Sequence, residues 1–78
     1  MEKSNDKTSL SKREFEIMEK VVRGKYNKEI ADDLNVKFNT VRKHLQNIYP
    51  KLRVNNRTEA SIKFMEITGK IKLDPESN

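Results

Sequence analysis

The chain has 78 residues with a formal net charge of +5, and 33% of its residues are hydrophobic. This length allows one small core, and the absence of cysteine excludes a disulfide framework and thiolate metal sites. The apolar runs are too short to cross a membrane or to form a signal peptide, so these features predict a small cytoplasmic domain.

The first helix is predicted from a capping pattern and an apolar face. Residues 1–9 are polar and aperiodic, which predicts a flexible N-terminal lead-in. Ser11 and Glu14 have the spacing of a capping box, in which each side chain bonds the backbone of the other residue. Gly24 can supply the left-handed residue that ends a helix, so we expect the helix over about 12–23. Its apolar residues are Ile17, Met18, Val21 and Val22.

Two further amphipathic patterns predict a pair of helices joined by a tight turn. Asn27 is a candidate cap for the first, which we expect over about 28–34. Asn35 can adopt the positive φ that the turn requires. The second helix is expected over about 38–50. Its apolar stripe has steps of four, three and four residues: Val41, Leu45, Ile48 and Leu52.

A fourth helix is predicted near the end of the chain. Asn56 and Glu59 again have the spacing of a capping box, and Gly69 is a candidate stop signal, which predicts a helix over about 57–68. Residues 70–78 are expected to form a flexible tail. The core face of this helix would consist of Ala60, Phe64 and Ile67.

The positive charge is concentrated in one third of the chain. Between residues 34 and 58 there are six Lys or Arg and no Asp or Glu, whereas the remaining residues nearly balance. Such a patch suggests a polyanionic partner. The elements therefore predict one all-α, four-helix domain over 10–69 with a helix-turn-helix. Its basic recognition helix, about 39–49, would enter the major groove of double-stranded DNA.

Four runs of residues then define a more specific pattern: Leu10-Ser11-x-Arg13-Glu14-x-Glu16-Ile17, Gly24-x-x-Asn27-Lys28-Glu29-Ile30-Ala31-x-x-Leu34, Thr40-Val41-Arg42-x-His44-Leu45-x-Asn47-Ile48, and Lys51-Leu52-x-Val54-x-x-Arg57-x-Glu59-Ala60. With these runs, the chain closely resembles the LuxR/FixJ/GerE family of bacterial transcription regulators over about residues 9–65. The resemblance implies a four-helix fold that binds specific DNA sequences through its third helix. It also implies that the fourth helix helps to form a homodimer on DNA.

The resemblance assigns expected roles to individual positions. By position in the family, the residues that would contact base edges are Arg42, Lys43 and Gln46. Those that would lie near phosphates are Lys28, Thr40, His44 and Lys51. The fourth helix also carries a second stripe, which is either ordinary partial exposure or a dimer interface: Ser61, Ile62 and Met65.

Three positions depart from the family pattern at the ends of the recognition helix. Lys37 stands where the family usually has a capping Ser, which leaves Asn39 as an alternative cap and a later helix start open. Pro50 predicts that the helix is irregular or ends near 49–51. Arg53 replaces a usual Gly at a place that often requires positive φ.

The sequence carries no recognisable catalytic constellation, so we expect no enzyme activity, no cofactor and no small-molecule substrate. His44 is the only histidine and lacks partners at metal-ligand spacing, while Glu14 and Glu16 diverge on a helix. Two alternatives stay open. One is a promoter-reading domain like that of sigma factors, which ordinarily lacks the fourth helix. The other is a protein-interaction module whose basic face meets an acidic partner.

Overall fold

A computed structural model describes residues 9–69 of the protein. Within that range the secondary structure is helical without a strand, which confirms the all-α prediction. The expected flexible segments, 1–9 and 70–78, lie outside the described residues except for Ser9. Among the described helices, none is both long enough and apolar enough to cross a membrane. The helices are α1 (Lys12–Val22), α2 (Asn27–Leu34), α3 (Phe38–Leu52) and α4 (Arg57–Thr68).

The two ends of α1 follow the local sequence signals. The Glu14 amide donates to Ser11 Oγ at 3.1 Å, and the Ser11 amide donates to Glu14 Oε1 at 2.9 Å, so the predicted capping box is present. The helix ends at Val22, one residue before the predicted end. Gly24 has a φ of +86°, and its amide donates to the Val21 carbonyl at 2.9 Å. This geometry closes the last turn as expected for a glycine beyond a helix.

The start of α2 differs from the prediction. Tyr26, with extended backbone, occupies the cap position, and Asn27 is the first helical residue, so the prediction of Asn27 as the cap was wrong. The helix is stabilised instead by Glu29, whose Oε1 accepts from the Tyr26 amide at 2.8 Å. At the other end Asn35 has a φ of +57°, which confirms the predicted turn between α2 and α3. Asn tolerates this left-handed conformation better than most residues.

α3 begins at the predicted residue and ends two residues later than predicted. The helix begins at Phe38, and its first turn closes through the Lys37 carbonyl, which accepts from the Thr40 amide at 3.0 Å. This start agrees with the predicted range of 38–50, whereas the alternative of a later start capped by Asn39 was wrong. An end near 49–51 was also wrong, because the helix continues through Pro50 to Leu52. A proline in the last turn removes one backbone hydrogen bond and does not prevent the turn from forming. The predicted positive φ at Arg53 is confirmed at +61°.

The core lies between the four helices and fixes which side of α3 is outward. Phe15 of α1 and Phe64 of α4 meet edge to face with ring centroids 4.8 Å apart. α2 packs against α3 in the helix-turn-helix, and α1 packs against α4. The buried apolar side chains come from all four helices and from the residue that precedes them: Leu10, Ile17, Met18, Val21, Ile30, Ala31, Val41, Leu45, Ile48, Leu52, Ala60 and Phe64.

Candidate nucleic-acid interface

The outer face of α3 is mainly polar and carries the basic residues Arg42, Lys43 and Lys51. Its three predicted base-contacting residues, Arg42, Lys43 and Gln46, are all exposed, while its apolar stripe is buried. Arg42 Nη1 donates to Asn39 Oδ1 at 3.3 Å, which holds the guanidinium along the helix. A helix of 15 residues is about 22 Å long and fits a major groove about 12 Å wide. The face therefore has the size and chemistry to meet base edges.

Arg57 lies beside this face and joins three elements. The guanidinium donates from Nη1 to Asn27 Oδ1 at 2.8 Å and from Nη2 to the Lys25 carbonyl at 2.5 Å. The start of α4 is thereby tied to the start of α2. The sequence placed Arg57 and Asn27 in the family pattern but assigned neither to the site. A shallow groove here is lined by Asn27, Arg42, Leu45, Gln46, Tyr49 and Arg57.

A second groove continues on the same flank of α3. It contains Lys28, one of the predicted phosphate-contacting residues, which is exposed on α2. Two exposed aromatic side chains accompany it, and the groove is lined by Tyr26, Asn27, Lys28, Phe38 and Arg57. Cations and aromatic rings at the start of α3 suit contacts with a nucleic-acid backbone and bases. The sequence contained these residues but no signal that they meet.

The other predicted phosphate-contacting residues lie on the opposite flank of α3. Thr40, His44 and Lys51 follow one another at steps of four and seven residues, which places them on one side of the helix. Thr40 and His44 are half-buried. Together with Lys28 they border the exposed face of α3 on both sides. Within residues 9–69 no group of His, Asp and Glu side chains is arranged to hold a metal ion.

Lys51 has a partner within the protein. Its Nζ lies 2.8 Å from Glu14 Oε1, and the two side chains are 39% and 6% exposed. Burial alone would raise the pKa of Glu14, but the hydrogen bonds from Lys51 and the Ser11 amide, with the charges of Lys51 and His44, lower it below its ordinary value. Glu14 is therefore ionised near neutral pH and compensates part of the Lys51 charge. This contact was not visible from the sequence.

The three residues of the second stripe of α4 differ in their exposure. Ile62 is 47% exposed, whereas Ser61 and Met65 are half-buried. The Ser61 hydroxyl donates to the Arg57 carbonyl at 3.0 Å within the helix. Ile62 instead shares a shallow, mainly apolar groove with residues that the sequence did not assign: Val54, Glu59, Lys63 and Glu66.

Comparison with known proteins agrees with this architecture. The sequence profile described as bacterial regulatory proteins of the luxR family matches residues 8–64. The chain is 46% identical over 54 residues to the transcriptional regulatory protein LiaR of Bacillus subtilis (strain 168), covering 69% of this chain and 26% of LiaR. It is 37% identical over 60 residues to the nitrate/nitrite response regulator NarP of Escherichia coli (strain K12), covering 77% of this chain and 28% of NarP.

A third relative has nearly the same length as the chain. The spore germination protein GerE of Bacillus subtilis (strain 168) is 39% identical over 67 residues, which cover 86% of this chain and 89% of GerE. The chain therefore spans about a quarter of LiaR and NarP but most of GerE.

Proposed function

The chain belongs to the luxR family of bacterial regulatory proteins, and from that premise we propose that it binds specific sequences of duplex DNA in transcription regulation. The observation that supports this function best is the outer face of α3. It is exposed and carries Arg42, Lys43 and Lys51, while its opposite side is held in the core. The partner is double-stranded DNA, and we place the protein in the cytoplasm, where bacterial DNA lies.

Sequence preference would come from the middle of α3. Arginine can donate two hydrogen bonds to the O6 and N7 atoms of guanine, and glutamine can pair in the same way with adenine. Arg42 and Gln46 are one helical turn apart and both exposed, so they can meet neighbouring base pairs. Lys43 projects from the same surface and supplies a further donor for guanine or for phosphate.

Affinity would come from the two flanks of α3. Lys28 on one side, and Thr40 and His44 on the other, would meet the two phosphate backbones that border a major groove. Each cation that replaces a condensed counterion adds to affinity and to its dependence on salt. Lys51 belongs to the second flank, but its contribution is reduced because Glu14 already compensates part of its charge.

Pairing of two copies would use α4. Ile62 is a large apolar side chain exposed on the helix surface opposite to the buried Phe64, and Ser61 and Met65 lie at the margin of that surface. A symmetric dimer that meets there would present two copies of α3 to a palindromic site, with half-sites about one DNA turn apart. We propose that the domain pairs in this way on DNA.

Selection of binding sites from a random duplex library, followed by titration of variants, tests the proposal. Arg42→Ala should cost about 1–3 kcal/mol on the selected duplex and much less on a scrambled one. Arg23→Ala removes the same charge from an exposed position at the end of α1 and serves as the matched control. If no sequence is enriched, or if Arg42→Ala weakens both duplexes equally, the domain does not recognise sequence through this face. Preferential binding to acidic proteins would instead favour an interaction module.

A further inference from the structure

Phe38 is an exposed aromatic residue on an otherwise polar surface. It is the first residue of α3, and its side chain is 50% exposed. It does not belong to the buried core, and its exposed half is in contact with water. Its neighbours toward the end of the helix, Asn39 and Thr40, are polar. The ring is therefore available to a ligand of the recognition helix.

The position of Phe38 connects the base-facing residues with a cationic flank. Phe38, Arg42 and Gln46 follow one another at steps of four residues, which forms a row along α3. Phe38 also lines the groove that contains Lys28 and Arg57. In helix-turn-helix proteins, residues near the N-terminal end of the recognition helix contact base edges. The ring thus lies at the N-terminal end of this row and shares a groove with Lys28, which is proposed to meet phosphate.

The chemistry of the major groove leaves one apolar feature for such a ring. Thymine presents a C5-methyl group there, whereas guanine, adenine and cytosine present hydrogen-bonding atoms that phenylalanine cannot satisfy. We propose that Phe38 determines specificity by packing on the methyl group of a thymine in the preferred site. This inference rests on the proposed function. Since one four-residue step spans about 6 Å, the thymine should lie within about two base pairs of the base that Arg42 contacts.

Replacement of single thymines by deoxyuridine tests the contact directly, because it removes the methyl group and leaves base pairing unchanged. We expect deoxyuridine at one position near the Arg42 contact to weaken binding of the parent protein about fourfold. This factor corresponds to the loss of about 0.8 kcal/mol for one buried methyl group. Phe38→Ala should bind the thymine and deoxyuridine duplexes equally at that position. Tyr26→Ala removes the other exposed aromatic ring of the same groove and is the matched control, which should keep the fourfold difference.

The outcomes separate this inference from the proposed function. The proposed function stands if the parent protein prefers its selected duplex and Arg42→Ala removes that preference. If, in that case, no deoxyuridine position distinguishes the parent from Phe38→Ala, the role proposed for Phe38 is wrong. If the parent shows no preference among duplexes, both fail. Should Phe38→Ala unfold, as judged by circular dichroism, Phe38→Ser and Phe38→Leu replace it in the same titration, and Phe38→Leu should retain part of the difference.

Discussion

The Lys51→Met substitution tests how much the ion pair between Lys51 and Glu14 contributes to the stability of the fold. Methionine keeps most of the aliphatic stem and removes the ammonium that Glu14 Oε1 meets at 2.8 Å. The carboxylate keeps the Ser11 amide at 2.9 Å but loses its cation. Leaving a buried acceptor without one partner costs about 1–3 kcal/mol. Because the Lys51 side chain is 39% exposed, water can replace part of the contact, and we expect a loss of about 1 kcal/mol.

The pH dependence of this loss identifies its cause. The folded state holds the pKa of Glu14 below its ordinary value of 4.5, so the stability that this group contributes is present above that value. It is lost as the pH falls through the pKa of the folded state. The parent and Lys51→Met should therefore differ near neutral pH and converge when Glu14 is protonated in both. Urea unfolding followed by circular dichroism measures both conditions. An equal loss at both would show that packing of the stem, and not the ion pair, is responsible.

The same variant has a consequence for binding. A fully available lysine that meets phosphate should change the slope of log affinity against log salt by about one. We expect Lys51→Met to change the slope by less than this amount, because Glu14 compensates part of its charge. Lys43→Met is the matched control, since Lys43 is exposed on the same helix and forms no ion pair within residues 9–69. Equal slope changes for the two variants would show that Glu14 releases Lys51 in the complex.

Three further substitutions test other features of the fold and the interface. Pro50→Ala should leave the free energy of unfolding unchanged or raise it, because an amide is restored to α3; a loss above about 1 kcal/mol would show that the proline is fitted to its site. Lys37→Ser should stabilise the domain by about 0.5–2 kcal/mol by capping α3, and Lys37→Ala should not. Ile62→Glu should preserve the fold and the affinity for a single half-site but reduce cooperative occupancy of a paired site; unchanged cooperativity would place the dimer contact elsewhere.

Features that depend on neighbours in the sequence were predicted well. The capping box of Ser11, the left-handed residues Asn35 and Arg53, and the buried stripe of α3 all follow from spacing and residue type. These features can be predicted because the partners of each group lie within a few residues along the chain. The exposed face of α3 could then be predicted as the side of the helix opposite its buried stripe.

Features that depend on packing were missed or wrong. The C-terminal end of α3 was placed two residues too early, because the buried Leu52 holds the last turn against the core in spite of Pro50. The contacts of Arg57 with Asn27 and of Lys51 with Glu14 join residues 30 and 37 positions apart. No local spacing indicates such pairs. The groove beside Phe38 was missed for the same reason, since it is formed where three helices meet.

The hydrogen bonds of Arg57 have a mechanical consequence for a paired protein. The side chain ties the beginning of α4 to Asn27 of α2 and to Lys25 in the preceding loop, and α2 packs against α3, so these bonds resist motion of α4 relative to α3. In a pair formed through α4, the orientation of each α3 relative to the dimer contact would therefore vary little. The distance and rotational phase between the two recognition helices would be nearly constant. Such a pair would tolerate base changes between half-sites more readily than the insertion of a single base pair, which rotates one half-site away from its helix.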